Sequence, residues 1–154
     1  MNKYEEKLKK FLRDNDIHAE YLVFDQSCHS VEQAAGAAHA NATDFVKNIC
    51  LVDSEGNLIV AIVKGEDRTN TTLVGKALGI ERPTPASPEE MLEKTGYPCG
   101  GIPSFGYTAT FLIDPKVMEK DVVYSSGGSE NSLIKISPKE LQRVNKGIIT
   151  KIRK

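Results

Sequence analysis

The sequence predicts an α+β fold: a mixed, mostly antiparallel and partly barrel-like sheet with several surrounding helices. Three features predict it. Strand-like stretches are mostly joined by tight turns, most clearly where residues 45–52 and 58–63 flank Asp53-Ser54-Glu55-Gly56-Asn57. Helix-like stretches are inserted irregularly rather than after every strand, which argues against a doubly wound parallel sheet. The chain of 154 residues, 40% of them hydrophobic, also fits a single domain spanning 1–154. At this length a folded chain buries roughly 68–70% of its extended surface, enough for a core without disulfides or metal.

Taken in order, Tyr4, Leu8, Phe11 and Leu12 recur at helical spacing through a charged stretch that ends near Asn15, predicting an amphipathic opening helix. Ile17, Ala19, Tyr21 and Val23 then alternate as a strand would. Ser30-Val31-Glu32-Gln33 forms a capping box, so an alanine-rich helix should run to about Ala40, weakened by Gly36. Asn70 caps a short helix that Gly79 closes. Arg82-Pro83-Thr84-Pro85-Ala86-Ser87-Pro88 is expected as a stiff surface connection. Ser87-Pro88-Glu89-Glu90 starts a helix closed by Gly96, and Ser137-Pro138-Lys139-Glu140 repeats the same start before one ending near Asn145, because proline at the first helical position loses no hydrogen bond. Further strands are expected over 107–113, 121–125, 132–136 and 148–152.

Composition narrows the function classes. No apolar run approaches the ~20 residues a bilayer requires, and the opening residues are charged, which predicts a cytoplasmic protein without membrane contact. Lys and Arg number 20 against 21 Asp and Glu, so non-specific DNA binding is not expected. Basic residues cluster at Lys3, Lys7, Lys9 and Lys10 and at Lys146, Lys151, Arg153 and Lys154, and read as solvated faces. Cys28, Cys50 and Cys99 are odd in number and widely spaced, which offers neither a disulfide framework nor a zinc pair, and no cofactor is implied.

Two segments carry chemistry. If 45–52 is a strand, Phe45, Lys47, Ile49 and Leu51 share a face and a lysine interrupts an apolar row. Such a lysine either snorkels at the strand edge or reaches a cavity that receives an anion. The second segment is Gly96-Tyr97-Pro98-Cys99-Gly100-Gly101-Ile102-Pro103-Ser104-Phe105-Gly106, where glycines open the backbone and prolines fix its path. It presents main-chain N–H groups to a ligand or is an ordinary connection; it is neither a dinucleotide fingerprint nor a P-loop. Cys28-His29, just before the Ser30 cap, leaves a cysteine nucleophile conceivable, although no third orienting group is visible. His18 and His39 read as surface residues, and Glu89 and Glu90 as helix-start charge.

Together, Phe45-Val46-Lys47-Asn48-Ile49-Cys50-Leu51-Val52, then Thr95-Gly96 with Gly100-Gly101-Ile102-Pro103-Ser104-Phe105-Gly106, then Ser126-Gly127-Gly128, resemble the YbaK-type aminoacyl-tRNA deacylases. That family includes the editing domain inserted in bacterial prolyl-tRNA synthetases. The resemblance runs over nearly the whole chain in the same order. It implies a YbaK-like fold and a freestanding hydrolase that cleaves the ester between a wrong amino acid, small such as Cys or Ala, and the 3′ end of a tRNA, with tRNA-Pro among the candidates and a synthetase as a further candidate partner. By the same resemblance Lys47 is the catalytic-site lysine. Gly100, Gly101, Ile102, Pro103, Ser104, Phe105 and Gly106, with Ser126 and Gly127, bind the substrate. Neither metal nor covalent intermediate is implied: water attacks the ester carbonyl, assisted by backbone groups and the terminal ribose hydroxyl.

A lysine acting as general base near neutral pH needs its pKa lowered by roughly 3 units, about 4 kcal/mol, while tRNA phosphates push the other way. Lys47 is therefore expected as a cationic anchor, and the N–H groups of Gly101 and its neighbours as donors to the carbonyl oxygen. Two positions depart from the family pattern. Ser104 stands where many relatives have proline, which leaves the loop looser or adds a hydroxyl to the pocket. Leu133 stands near where cysteine-selective relatives carry an acid. The alternative function is a non-catalytic module that binds a tRNA end, a nucleotide or a synthetase through the same pocket. A third reading, a thiol hydrolase using Cys28, is removed by retained activity in Cys28→Ser.

Overall fold

A computed structural model describes residues 2–25 and 30–154. Helix α1 (Lys3–Asp14) is capped by Asn2, whose side chain accepts from the Glu5 N–H while the Glu5 carboxylate returns to the Asn2 N–H. There follow β1 (Ala19–Val23), α2 (Val31–Ala38), a single 3-10 turn (Ala42–Asp44), β2 (Val46–Val52), β3 (Leu58–Lys64) and α3 (Thr71–Leu78). The remainder comprises β4 (Thr84–Pro85), α4 (Pro88–Thr95), β5 (Thr110–Ile113), α5 (Pro115–Met118), β6 (Val123–Ser126), β7 (Ser132–Ile136), α6 (Pro138–Asn145) and β8 (Ile148–Ile149). The caps read from sequence close these helices: Asn70 and Gly79 bound α3, Ser87 and Gly96 bound α4, and Ser137 starts α6.

The strands form two sheets, β1-β7-β6, antiparallel throughout, and β4-β2-β3-β5-β8, in which β3-β5 and β5-β8 run parallel. The α+β class with a mixed, mostly antiparallel sheet holds, and neither sheet closes into a complete barrel. Strand β2, which β4 flanks only at Leu51 and Val52, and the edge strand β6 approach through the Phe45–Tyr124 bridge and then stand apart, spanned by side chains rather than by a backbone ladder. Strand β3 is central and covered on both faces. Leu58, Val60 and Ile62 join the main core, while Ile59, Ala61 and Val63 pack with Leu51, Leu112 and Ile152 behind it. That double burial explains why 58–63 reads as an unbroken apolar run.

Two local expectations change, and one short helix joins the elements expected. The 82–88 connection is not simply surface: Thr84 and Pro85 pair with β2, Ala86 is buried, and its N–H donates to the Cys50 carbonyl at 3.0 Å. Strand β5 starts at Thr110 rather than at 107, because the Tyr107 hydroxyl donates to the Pro103 carbonyl (2.7 Å) and holds that stretch with the preceding loop. Helix α5 carries the same signal as its longer relatives, a capping Asp114 followed by Pro115, over a single turn. Among the described residues no helix is long and apolar enough to cross a membrane.

Candidate functional site

Strand β2 pairs with β3 along its whole length, but its other edge is paired only at Leu51 and Val52. Residues 46–49 therefore face β6 across the gap between the sheets. Pinned at one end by the stacked rings of Phe45 and Tyr124, 4.9 Å apart, the gap opens into a cavity of about 350 Å³. That volume lies at the small end of the roughly 300–1,000 Å³ typical of small-molecule sites. Lys47, Asn48 and Cys50 line it from β2, Gly100 and Ile102 from the glycine-proline loop, and Ser125, Ser126 and Leu133 from the opposite sheet.

Lys47 shares its face of β2 with Ile49 and buried Leu51, as the alternation predicts. Its ammonium is seated on the Asp67 carbonyl, which accepts from Nζ at 3.1 Å. One of three donors is thereby used, and a cation is held beside the cavity.

The loop divides into lining and support. Gly100, at φ +92°, and Ile102 face the cavity, and Ser126 faces it from the other side. Gly101, Pro103, Ser104, Phe105, Gly106 and Gly127 do not line it. Gly101 packs main chain to main chain on the turn after β6, where a Cβ would lie 2.6 Å from the Gly128 carbonyl carbon. Phe105 is buried and stacked on Phe11 at 5.9 Å. Gly106, at φ +99°, lies by Phe11 and Tyr97. Gly127 accepts from the Tyr21 hydroxyl. The Gly101 N–H corrects one expectation: it donates to the Pro98 carbonyl at 2.9 Å, so it is a turn bond and not a free donor to a substrate.

Three consecutive carbonyls fix the loop from three directions. That of Ile102 accepts from Asn48 Nδ2 (2.9 Å), that of Pro103 from the Tyr107 hydroxyl, and that of Ser104 from Asn145 Nδ2 (3.0 Å). Ser104 neither loosens the loop nor lines the pocket. Its fully buried hydroxyl donates to Asn48 Oδ1 at 2.7 Å and meets Ser125 Oγ at 2.8 Å. Asn48 Nδ2 also reaches Ser125 Oγ at 3.1 Å, so one amide ties β2, the loop and β6 together. Sequence reasoning missed Asn48, although the signal was present: in the row Val46, Asn48, Cys50, Val52 it is the one amide facing the core. Asn48→Ala leaves the Ile102 carbonyl without its donor and is expected to destabilise the fold by about 2–4 kcal/mol, read as a lower urea midpoint at unchanged slope.

Two cysteines line the cavity, Cys50 and Cys99, and the first is not a nucleophile at neutral pH. Burial pushes the Cys50 thiol up to about 11, which leaves on the order of one thiolate in ten thousand at pH 7. Cys99 is exposed. Cys28 and His29 lie outside the described residues. His18 and His39 are exposed, as expected. Cys50→Ala is expected to retain whatever activity the cavity has, measured beside the parent under identical conditions.

The sequence model of the aminoacyl-tRNA editing domain family matches residues 25–144. A curated relative, "Uncharacterized protein YwhH" of Bacillus subtilis (strain 168), is 28% identical over 131 residues, 84% of this chain and 80% of that protein. Among solved structures, one described as a candidate trans-editing enzyme for prolyl tRNA synthetase superposes with a TM-score of 0.92 at 22% identity, over 100% of this chain and 99% of the other. Another, the hypothetical protein APE2540, superposes with a TM-score of 0.88 at 23% identity, over 96% and 99%. At these identities the superpositions speak for a shared YbaK-like fold.

Proposed function

The chain belongs to the aminoacyl-tRNA editing domain family, and from that premise we propose that residues 1–154 form one freestanding, cytoplasmic trans-editing hydrolase that deacylates misacylated tRNA. The observation that carries the proposal is the convergence of Lys47, Gly100, Ile102 and Ser126 on a single cavity, from stretches of chain far apart in sequence.

In this reading the aminoacyl end of the tRNA enters between the two sheets. Lys47, seated on the Asp67 carbonyl, keeps free donors for the phosphate or ribose oxygens of the terminal nucleotide. The loop's lining backbone at Gly100 and Ile102 receives the ester. With three neighbouring carbonyls turned to Asn48, Tyr107 and Asn145, that backbone does not reorganise as charge develops on the ester oxygen, the condition under which main-chain donors are most effective. Water is the nucleophile, and the protonated Cys50 thiol serves as apolar wall.

Selectivity follows from size and from the lining. Met91, Ile102, Cys50 and Leu133 present an apolar surface to the cavity, which suits a small side chain such as that of alanine or cysteine. Leu133 offers no charge to a polar one. Because one methylene is worth only roughly 1–3 kcal/mol to a synthetase, a second site that admits the smaller amino acid is needed to correct the error.

The test is a panel of mischarged tRNAs, tRNA-Pro included, incubated with the parent protein and with Lys47→Ala. Hydrolysis of at least one small-amino-acid ester that depends on Lys47 is expected. Tight binding of a non-hydrolysable aminoacyl-adenosine with no turnover on any ester would instead make the protein a binding module.

A further inference from the structure

We propose that Arg153 is a positioning residue for Lys47, acting through the segment on which the lysine is seated; the inference rests on the role of Lys47 proposed above. The seat is the Asp67 carbonyl, 3.1 Å from Nζ. Asp67 follows β3 in a turn, its N–H donating to the Lys64 carbonyl at 2.9 Å. The next residues are held by a strand-like pairing with residues 152–154. Lys154 N–H donates to the Arg68 carbonyl (2.8 Å), Thr69 and Arg153 form an antiparallel bridge, and Asn70 N–H donates to the Ile152 carbonyl (2.7 Å).

Residues 152–154 are in turn fixed by one buried carboxylate. Asp114, fully buried at the end of β5, accepts from the Ile152 N–H through Oδ1 (3.0 Å) and from Arg153 Nη1 through Oδ2 (2.9 Å). A continuous chain of short contacts therefore runs from Asp114 through Arg153 and the 68–70 backbone to the Asp67 carbonyl and the Lys47 ammonium.

The seat is held against a cost. Asp67 Oδ2 and Thr69 Oγ1 are buried without hydrogen-bond partners, so this segment leaves polar groups unsatisfied where it lies and would gain by opening to water. The pairing with 152–154 opposes that opening. When it weakens, the Asp67 carbonyl moves and the lysine loses its reference point; a displacement of about 1 Å in a positioning group can cost up to about 100-fold in rate.

The experiment compares the parent with Arg153→Ala, Arg153→Lys and Arg153→Gln by two readouts. The first is the reactivity of the Lys47 amine toward acetic anhydride, mapped by peptide mass spectrometry, which requires no tRNA. The second is kcat and KM for the ester identified by the panel. Arg153→Ala is expected to raise Lys47 labelling several-fold and to lower kcat/KM about 10- to 100-fold. Arg153→Lys should restore most of both, and Arg153→Gln should fall between. Should Arg153→Ala not fold, the graded order of the lysine and glutamine variants carries the test. Unchanged labelling and kinetics in folded variants would overturn the proposal, as would an activity loss that merely tracks the folded fraction. Altered labelling in a protein whose parent cleaves no ester would leave the positioning role standing and defeat the proposed function.

Discussion

Replacing Lys47 by alanine is expected to lower kcat/KM for deacylation of a mischarged tRNA roughly 10- to 150-fold, the range that corresponds to losing one charge-assisted hydrogen bond of about 1.5–3 kcal/mol. The fold should survive the change. Lys47 is only partly buried and its hydrogen-bond partner is a backbone carbonyl rather than a carboxylate, so truncation breaks no ion pair among the described residues. The loss should fall largely on KM if the ammonium holds the tRNA end equally in ground and transition states, and on kcat if it orients the ester. Lys47→Arg separates an anchor from a base. A guanidinium remains charged and cannot accept a proton at neutral pH, so partial rescue supports the anchor, whereas activity as low as in the alanine variant supports proton transfer. The parent's KM should also rise with salt, because the interaction is between a partly exposed cation and phosphate.

Gly101→Ala is expected to destabilise the protein by about 2–3 kcal/mol and to abolish most of the deacylation at temperatures where it remains folded. The added methyl would meet the Gly128 carbonyl carbon at 2.6 Å and the Gly128 oxygen and Ser129 nitrogen at 2.7 Å. All three are main-chain atoms without a rotamer through which to escape. Nor is the turn free to retreat, because Gly128 already lies against the start of α1, where its own Cβ would be 3.0 Å from the Tyr4 carbonyl oxygen. The loop must therefore lift, carrying Gly100 and Ile102 away from Ser126. Gly36→Ala in α2 is the control: a Cβ there meets nothing within 4 Å, and alanine is favoured over glycine inside a helix by roughly 0.5–1 kcal/mol. Thermal unfolding of the two variants should move in opposite directions.

Much of the site was legible because it follows from short-range rules. The alternation in 45–52 placed Lys47 on the face of Ile49 and Leu51, and the run of glycines and prolines marked the loop. The loop's inner division was not legible. Gly100 and Ile102 face the cavity while Ser104 is withdrawn from it, and that choice is made by Asn48, Tyr107 and Asn145, two of which lie 54 and 41 positions from the carbonyls they hold. The alternation that marks Lys47 on one face of the strand marks Asn48 as the amide in the apolar row of the other. Residues 82–88 read as a connection because nothing local in a proline-rich stretch marks its pairing partner, the edge of β2 at Leu51 and Val52.

By itself the sequence determined the helices with their caps, the β2–β3 hairpin and the family, since each is set by groups within a few residues of one another or by a motif order along the chain. Only the tertiary structure decided that β2 and β6 stop short of closing a barrel, that the resulting gap is the cavity, and that Lys47 is seated on Asp67 under the hold of Arg153. Those outcomes depend on which edges are left unpaired and on which buried polar groups find partners. Both are properties of the packed whole and not of any local stretch.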